Sequence, residues 1–355
     1  MKKIYVAMSS GVDSSTVAAI LAKQLSPNRV HGVFMNNWSL TAKCAESDWR
    51  QVQDVSNTIG ISCHRVDLEK DYWTKVFEPM VSKYAQGITP NPDVNCNRHI
   101  KFGSLISHLK DYDSDFTKVA TGHYAGISSR GLVCRPEHIQ KDQSYYLSTV
   151  TKEQLEHVLF PLSTYMKPRV RELAGEFGLS TASKPDSVGL CFVEQAEKSF
   201  DQFLGEYIEP SPGNIVLEDG TVVGKHHGLW TGTIGQRTSV SMPQGNPDFQ
   251  GKWFYSRKNV DKNELVIVKG RDNPSLYHQT IVCRDFVWHT REYSSLWGQF
   301  RSLQESTPLE CIDSSDTSPI FKLATKRRAV APGQFFVLYD NNHEIVGSGE
   351  ISEAF

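Results

Sequence analysis

Residues 9–15 read SSGVDSS and stand between an apolar segment, Ile4–Met8, and a stretch whose apolar residues recur at helical spacing. A strand, a loop rich in serine and glycine, and a helix N-terminus together form an anion cradle, because consecutive backbone N–H groups and the positive end of the helix dipole point to one place. Gly11 is expected to take the positive φ that such a turn needs. The apolar face of the helix consists of Val17, Ile20, Leu21 and Leu25. The segment therefore predicts a phosphate-binding loop.

The loop resembles the SGGxDS pyrophosphate loop of ATP pyrophosphatases, enzymes that split ATP between its α- and β-phosphates and transfer AMP to a substrate oxygen. It is not a Walker A motif, because no GxxxxGK[ST] occurs and no lysine follows the glycine. Ser10 stands where that family usually has a second glycine. If the position needs a positive φ, serine costs about 1 kcal/mol there. The plainer alternative is a serine-rich helix cap.

The bulk composition describes an ordinary globular chain. It has 355 residues, a net charge of −2 and 39% hydrophobic residues, which fits two or three domains. A net charge so close to zero gives no global sign of nucleic-acid binding, so a site for a polyanion must be a local patch. No run of about 18 apolar residues occurs, so no membrane span is expected. The first strand begins at Ile4, which leaves no room for a signal or transit peptide in this sequence.

The seven cysteines are irregularly spaced and include no CxxC pair. This pattern argues against a secreted disulfide framework and against a zinc site. It favours a reducing compartment, with one or two reactive thiols among the seven. The cysteines stand at positions 44, 63, 96, 134, 191, 283 and 311.

Apolar strand patterns alternate with helix patterns in the first half of the chain. Strands are expected over 30–35, 61–66 and 118–121, and helices over 49–59, 155–160 and 170–177. Alternating β and α elements at this spacing predict a parallel, doubly wound sheet that binds ligands at the carboxyl ends of its strands.

The last third of the chain is rich in strand and turn patterns and poor in helix patterns. The turns 218–220 and 340–342 each separate two short apolar segments, as hairpin turns do. This part is expected to form a β-barrel-like domain. The expected domains are an α/β domain over 1–200, a small central domain over 201–273 and a β-barrel domain over 274–355.

The segment TPNPDVNCN, at 89–97, combines two stiffening prolines with four residues that favour local side-chain hydrogen bonds. A rigid loop would hold Asp93 and Cys96, three residues apart, close enough to act on one bound group. A carboxylate can accept a proton and a thiolate can attack carbon. The alternative is a well-formed turn with an incidental cysteine.

A second cysteine, Cys191, follows Gly189 in KPDSVGLCF, at 184–192. Lys184 could lower the pKa of that thiol; the alternative is a buried cysteine at the start of a strand. Two further segments have a functional character: ATGHYA at 120–125 and KDQSYYL at 141–147. The first ends a strand at the position where open α/β sheets bind ligands, and the second offers groups suited to phosphates and bases.

These segments occur in a fixed order that closely resembles the tRNA-specific 2-thiouridylase family over nearly the whole chain. MPQGNPDFQGKWF at 242–254 is most similar to the mitochondrial branch found in fungi. The matching segments are SSGVDSS, FMNNW, DYWTKVFEP, TPNPDVNCN, IKF, TGHYA, KDQSYYL, KPDSVGLCF, GLWTGTIGQR and APGQFFVLY.

The resemblance implies that the chain replaces the 2-oxygen of a wobble uridine with sulfur. ATP would adenylate that oxygen so that AMP can leave in its place. Asp13 would contact Mg²⁺, a hard cation that prefers oxygen ligands. The implied ATP-binding residues are Ala7, Met8, Ser9, Ser10, Gly11, Val12, Asp13, Ser14, Met35 and Gly122.

By the same resemblance, Cys191 would carry a persulfide received from a sulfur-donor protein of a cysteine desulfurase relay. Cys96 would be its partner thiol, and Asp93 would act as an acid or base. Either the terminal sulfur attacks the adenylated carbon directly, or Cys96 attacks the persulfide and frees hydrosulfide. Both routes end in a Cys96–Cys191 disulfide that must be reduced before another turnover.

The resemblance also implies how tRNA is bound. The wobble base of a tRNA for lysine, glutamate or glutamine would be flipped out of the anticodon stack to reach the site. The mitochondrial branch implies a mitochondrial location. The implied tRNA contacts are Asn91, Pro92, Asp93, His123, Lys141, Asp142, Gln143, Arg301 and Gln334.

Besides Ser10, two positions depart from the family pattern. Gly232 stands where an aromatic residue is usual, and Arg301 is followed by Ser302 instead of tyrosine. Two other functions stay open: a different ATP pyrophosphatase, such as an amidotransferase-type synthetase, which does not need the cysteine pair, and a non-catalytic RNA-binding protein of the same fold.

Overall fold

The computed structural model describes residues 2–38, 42–186, 199–242 and 247–355. Within these ranges the chain forms a layered α/β unit, a small four-stranded unit and a closed barrel, in that order, which confirms the predicted fold class. Cys191, with most of the predicted loop over 184–192, lies outside the described residues. Every helix in the described parts of the chain is too short or too polar to cross a membrane.

The α/β unit is built around a sheet of five parallel strands. The strands of this unit are β1 (Lys3–Ala7), β2 (Val30–Asn36), β3 (Ser62–Asp67), β4 (Phe116–Ala120), β5 (Gly126–Ile127), β6 (Val133–Cys134) and β7 (Val158–Leu159). Its helices are α1 (Val12–Leu25), α2 (Ala42–Ile59), α3 (Glu69–Tyr72), α4 (Glu78–Ala85), α5 (Pro92–Asn95), α6 (Leu105–Tyr112), α7 (Lys152–Leu155), α8 (Lys167–Glu176) and α9 (Phe200–Leu204). The sheet order is β3-β2-β1-β4-β7, and β5 pairs separately with β6. Because the order reverses between β1 and β4, the loops after these two strands meet at one edge.

The two faces of the parallel sheet carry separate apolar cores. Along β1, Tyr5 and Ala7 belong to one core, and Val6 belongs to the other, in the two-residue alternation of a strand. Helices α1, α2 and α8 cover the second face, and α4 and α6 contribute to the first. Burial on both faces explains why the strands are apolar over most of their length.

The predicted helix over 155–160 is wrong. Thr151 and Gln154 form a capping box, in which each side chain accepts a hydrogen bond from the backbone of the other, and this box begins the one-turn helix α7. Val158 and Leu159 then extend the sheet beside β4. A short apolar run fits a buried strand as well as a helix, so periodicity over so few residues does not separate the two.

The remaining strands form the four-stranded unit and the barrel. The central unit contains β8 (Gly213–Val216), β9 (Val222–His226), β10 (Trp253–Asn259) and β11 (Glu264–Lys269), in the order β10-β11-β8-β9. The barrel contains β12 (Tyr277–Trp288), β13 (Leu296–Gln299), β14 (Thr307–Asp313), β15 (Ile320–Arg328), β16 (Phe335–Tyr339) and β17 (Ile345–Ala354), closed in the order β12-β15-β14-β13-β16-β17. Both predicted hairpins, β8–β9 and β16–β17, are confirmed.

Arg328 joins the barrel to the central unit. Its guanidinium donates to the carbonyl oxygens of Arg271 at 2.9 Å and Gly235 at 3.0 Å, and it stacks over the ring of Phe254 at 5.1 Å. Part of the basic run over 326–328 therefore serves an interdomain contact.

Candidate active site

Two loops meet where the order of the parallel sheet reverses. Gly122, in the loop after β4, lies against the first turn of α1: a Cβ atom added there would stand 2.8 Å from the backbone nitrogen of Ser14 and 2.9 Å from the Cβ of Asp13. Tyr124 then donates from its hydroxyl to Asp13 Oδ1 at 3.0 Å. The fold thus brings together Asp13, Ser14 and Gly122, and this close approach requires glycine at position 122.

The loop before α1 is shaped differently from the expectation. Gly11 is the N-cap residue with φ −85° and ψ 162°, so its predicted positive φ is wrong. The extended backbone that an N-cap needs at Gly11 moves the left-handed residue one position earlier, to Ser10, whose φ is 58°. The condition under which serine is costly at that position is therefore met.

The N-terminus of α1 is available to an anion. Within the described residues, no side chain caps this end. Ser14 turns its hydroxyl back instead, where it donates to the carbonyl of Gly11 at 3.2 Å and accepts from the backbone N–H of Ser9 at 3.1 Å. The structure therefore favours an anion cradle over the serine cap, because the first backbone N–H groups of the helix keep their orientation towards the loop.

Four other predicted nucleotide residues lie around this loop. Ala7, Met8 and Val12 are buried and support the loop by packing. Met35 is half-buried near the carboxyl end of β2, at the same edge of the sheet. These positions fit a nucleotide that lies across the ends of β1 and β2.

Three cations lie beside the loop, and we call them the cation cluster: Lys141, Lys167 and Arg171. Lys167 is buried, and its Nζ lies 2.7 Å from both carboxylate oxygens of Asp13. All three cations contact the carboxylate of Asp186. The sequence reasoning missed Lys167 and Arg171 as site residues. A usable signal was present, because they are four residues apart on α8 and so share one helix face.

Lys184 also contacts the nucleotide loop. Its Nζ donates to Ser10 Oγ at 2.9 Å and lies 3.4 Å from Asp48 Oδ1, while Ser10 Oγ donates to Asp48 at 2.6 Å. The hydroxyl of Ser10 is therefore hydrogen-bonded to both Lys184 and Asp48. The predicted effect of Lys184 on the thiol of Cys191 stays a prediction.

A second group of predicted residues meets at the start of α5. Asn91 is the N-cap residue of α5, and its Oδ1 accepts from the backbone N–H of Val94 at 3.4 Å. Its Nδ2 donates to Gln334 Oε1 at 3.3 Å. Gln334, from the barrel, donates in turn to the carbonyl oxygens of Thr89 at 2.9 Å and Pro90 at 3.1 Å. The barrel thereby fixes the predicted target-base loop.

Asp93 and Cys96 lie one helical turn apart at the start of this helix. Burial raises the pKa of the Asp93 carboxyl, and the charge of Lys101 partly opposes that effect. Cys96 is only 6% exposed. A carboxyl that holds its proton more tightly than usual is suited to acid and base roles near neutral pH.

His123 lies between the two groups. Its Nδ1 is 2.8 Å from Thr121 Oγ1, and its ring packs 5.9 Å from that of Phe102, which belongs to the same helical segment as Cys96. Burial, together with the charge of Lys101, lowers the pKa of His123 well below its ordinary value. His123 is therefore neutral at physiological pH, and it suits a hydrogen bond or stacking contact with RNA better than a charge contact.

The side chains of the predicted tRNA residues at 141–143 contact different parts of the molecule. Lys141 belongs to the cation cluster. The carboxylate of Asp142 is buried, 3.2 Å from the guanidinium of Arg135, and burial raises its pKa. Gln143 accepts from the backbone N–H of Tyr124 at 3.0 Å. In this arrangement Asp142 and Gln143 support the loop after β4.

Arg301 lies on the barrel side of the site. Its guanidinium donates to the carbonyl oxygen of Ala329 at 2.5 Å, and burial lowers its pKa. Its predicted contact with tRNA stays a prediction. Cys191 lies outside the described residues, so its place relative to Cys96 is likewise a prediction.

Three family profiles together match nearly the whole chain. They are described as "tRNA methyl transferase HUP domain" over residues 2–195, "tRNA methyl transferase PRC-barrel domain" over 201–269 and "Aminomethyltransferase beta-barrel domain" over 278–351.

Relatives that match nearly the whole chain are named 2-thiouridylases, and not methyl transferases. "Mitochondrial tRNA-specific 2-thiouridylase 1" of Saccharomyces cerevisiae is 42% identical over 98% of this chain and 91% of its own. "tRNA-specific 2-thiouridylase MnmA" of Lysinibacillus sphaericus is 39% identical, over 99% of this chain and 95% of its own. The protein of the same name from Limosilactobacillus reuteri is 38% identical, over 99% and 96%. Among solved structures, the U34-tRNA thiolase NcsA of Methanococcus maripaludis is 16% identical, covers 58% of this chain and 64% of its own, and has a TM-score of 0.37, which is too low to argue from.

Proposed function

Because the chain belongs to the tRNA-specific 2-thiouridylase family, we propose that it replaces the 2-oxygen of the wobble uridine in tRNA with sulfur, using ATP. The observation that carries the proposal is the pairing of two groups at one edge of the sheet. An uncapped helix N-terminus suited to phosphates lies on one side, and Asp93 with Cys96 lies on the other. The segment from Gly122 to Tyr124 connects them. Both of its end residues contact Asp13, and the ring of His123 between them packs on Phe102.

The first half of the reaction would be adenylation. The uridine 2-oxygen attacks the α-phosphorus of ATP, pyrophosphate leaves, and the oxygen becomes part of a good leaving group. The backbone N–H groups at the start of α1 would bind the phosphates, with the helix dipole adding to them. Gly122 would let the loop after β4 lie close to the nucleotide. The loop and the thiol of Cys96 both favour this chemistry over the methyl transfer in the profile descriptions.

A magnesium ion fits the residues that are present. Mg²⁺ keeps several waters and needs one or two carboxylates beside the substrate phosphates. Asp13 would hold it, exchanging part of its contact with Lys167. The ion would offset the charge of the departing pyrophosphate.

The second half would be sulfur transfer. Cys191 would carry the persulfide from a cysteine desulfurase relay, and Cys96 would be the partner thiol. Asp93 would move a proton on the uracil or on the incoming persulfide, a role supported by its raised pKa. AMP would leave with the original oxygen. The transfer is either direct or by way of hydrosulfide, and both routes leave a disulfide that a reductant must open.

The tRNA would lie across the α/β unit and the barrel. Asn91 and Pro92 would contact the flipped wobble base, and Gln334 would position them from the barrel. His123, Asp142, Gln143 and Arg301 are the further proposed tRNA contacts. Lys141, which the resemblance also assigns to tRNA, lies in the cation cluster beside the nucleotide loop. We propose as substrates the tRNAs that decode lysine, glutamate and glutamine, and a mitochondrial location, which the name of the yeast relative supports. Domain limits near residues 200 and 273 are part of the same proposal.

The test is mass spectrometry of wobble nucleosides after incubation of tRNA with the protein, ATP, Mg²⁺ and a persulfide source. Formation of 2-thiouridine should require ATP and a uridine at the wobble position. Cys96→Ser and Cys191→Ser should each abolish it, and Cys311→Ser, in the barrel, should not. Thiolation without ATP would rule out adenylation, and full thiolation by both site variants would rule out the sulfur relay. Tight ATP binding without thiolation would favour a different ATP pyrophosphatase.

A further inference from the structure

Three cations from two segments of the chain converge on one carboxylate beside the nucleotide loop. Asp186 Oδ2 lies 2.8 Å from Lys141 Nζ. Its Oδ1 lies 2.9 Å from Lys167 Nζ and 2.6 Å from the guanidinium of Arg171. Three cationic donors that converge on one carboxylate form a site that is also suited to a strongly anionic ligand.

Two members of the cation cluster, Lys167 and Arg171, have contacts that do not depend on the carboxylate of Asp186. Lys167 is also bound to both oxygens of Asp13, in the first turn of α1. Arg171 also donates to the carbonyl oxygens of Ala182 and Lys184, each at 2.9 Å. Lys167 and Arg171 would therefore stay beside the helix N-terminus if the carboxylate of Asp186 moved away, and Lys141 would be released to bind another anion.

Burial is unequal between the partners. The Lys167 side chain is 9% exposed, whereas that of Asp186 is 38% exposed. Removing an anionic partner from a buried ammonium costs free energy unless another anion replaces it. An aspartate on the solvent side can move away without such a cost. Burial alone would raise the pKa of Asp186, but hydrogen bonds from Lys141 and Lys167 outweigh it and hold that pKa well below the ordinary value. The group is therefore an anion at every physiological pH.

We propose that the cation cluster binds the β- and γ-phosphates of ATP, and that the carboxylate of Asp186 competes with these phosphates for it. The inference rests on the proposed use of ATP. Phosphate oxygens carry more charge than one carboxylate and suit the forked donors of an arginine. ATP displaces Asp186, and the carboxylate returns when pyrophosphate leaves. Lys141 then serves the nucleotide, where the family resemblance predicted a tRNA contact.

The test is equilibrium binding of three ligands: α,β-methylene ATP, which cannot be cleaved at the reacting bond, inorganic pyrophosphate, and AMP. Asp186→Asn removes the competing charge and should bind the first two ligands about tenfold more tightly, which corresponds to about 1.4 kcal/mol. AMP lacks the two terminal phosphates, so its affinity should not change. Asp186→Glu restores the competing carboxylate and should bind like the wild type.

Glu172→Gln is the matched control. It removes one negative charge from the same helix as Lys167 and Arg171, but Glu172 pairs with Arg169 at the exposed surface. Equal tightening by Glu172→Gln and Asp186→Asn would show a general charge effect and overturn the proposal. Unchanged or weaker binding of pyrophosphate by Asp186→Asn would also overturn it, and weaker binding would indicate that Asp186 assists the ligand.

The wild type separates this inference from the proposed function. A wild-type protein that binds no methylene ATP and thiolates no tRNA contradicts the proposed function itself. A wild type that does both, together with an Asp186→Asn variant whose pyrophosphate affinity is unchanged, contradicts only the competition. Asp186→Ser, which removes the same charge with a smaller side chain, gives the same decision if the asparagine variant does not fold.

Discussion

The left-handed backbone conformation of Ser10 costs free energy, and the neighbouring Gly11 does not adopt this conformation in its place. Its φ of 58° lies in the left-handed region, where a side chain with a Cβ is disfavoured by about 1 kcal/mol relative to glycine. The hydroxyl compensates in part through its hydrogen bond to Asp48, whose side chain is 43% exposed. The loop is therefore less stable than the usual glycine sequence would make it.

Two substitutions at this position separate the strain from the hydrogen bond. Ser10→Gly and Ser10→Ala both remove the hydroxyl, but only alanine keeps a Cβ in the left-handed region. We expect Ser10→Gly to exceed Ser10→Ala in free energy of unfolding by about 1 kcal/mol, measured by urea denaturation. Equal stabilities would show that the loop relaxes to a negative φ when the hydroxyl is lost.

Asp93 should show a conflict between function and stability. Burial raises the pKa of its carboxyl in the folded state, so the stability linked to this group is present at low pH and is lost as the pH rises through the raised value. Asp93→Asn should therefore gain stability relative to the wild type as the pH rises above about 4, the ordinary pKa of a carboxyl, while thiolation is lost. Asp54→Asn, on the exposed face of α2, is the control for the loss of one aspartate and should keep thiolation. A constant difference across the pH range would contradict the raised pKa.

At the residue scale, the sequence predicts site residues that lie in a short recognisable segment. It does not predict those that reach the site only through long-range contacts. Asp93 and Cys96 are recognisable because they stand at positions i and i+3 of a segment stiffened by two prolines. Lys167 and Asp186 are far from the nucleotide loop in sequence. The packing of α8 on α1 brings Lys167 to Asp13, and Asp186 in turn contacts Lys167. Long-range ion pairs of this kind have no local pattern.

The helical segment that presents Cys96 contains a wide turn. Residues Cys96–Ser104 follow α5 in a π-helical conformation, which shifts the backbone hydrogen bonds from their α-helical partners. Side chains bind two of its carbonyl oxygens: Gln154 Nε2 donates to Arg98 at 2.8 Å, and Ser104 Oγ donates to His99 at 3.1 Å. These two side chains therefore support the geometry that places the thiol.

Gln154→Glu tests that support. Glutamate keeps the acceptor that completes the capping box of α7, but it cannot donate to the carbonyl of Arg98. A partly buried carbonyl that loses this donor and faces a new carboxylate should lower the free energy of unfolding by about 2 kcal/mol and reduce thiolation by Cys96. Thr151→Ala, which removes the cap and keeps the amide donor, should cost about 1 kcal/mol and preserve activity. If both variants lose activity equally, the wide turn does not depend on this amide.

Elements were predictable where a pattern is long or a turn is distinctive. The first strands follow from short apolar runs, and both hairpins follow from turn residues such as Asp340 and Asn341. The wide turn over Cys96–Ser104 could not be predicted, because Gln154, whose side chain binds one of its carbonyl oxygens, belongs to another helix. The prediction missed the strand at Val158 for a related reason. Its conformation is determined by its pairing with β4 and not by its own sequence.

At the scale of the whole molecule, the site depends on how the barrel docks. Gln334 reaches the target-base loop only if the barrel is held against the α/β unit. Arg130, between β5 and β6, provides much of that hold: its guanidinium lies 3.2 Å from Asp340 Oδ2 and 2.8 Å from Glu344 Oε2, and it donates to the carbonyl of Glu292 at 2.9 Å. Strand, helix and turn patterns in the sequence predict three domains, but they do not predict this docking.

Arg130→Met should therefore loosen the barrel without damaging the nucleotide loop. The side chains of Asp340 and Glu344 are 2% and 8% exposed, so loss of the guanidinium leaves two buried carboxylates without their cation, at a cost of about 3 kcal/mol. Calorimetry should show the barrel unfolding at a lower temperature, and thiolation should fall while binding of α,β-methylene ATP is kept. Arg169→Met removes an arginine that pairs with two exposed glutamates on α8, so it should cost less than about 1 kcal/mol. Equal losses of stability in the two variants would show that the Arg130 contacts do not hold the barrel, and that the position of Gln334 has another cause.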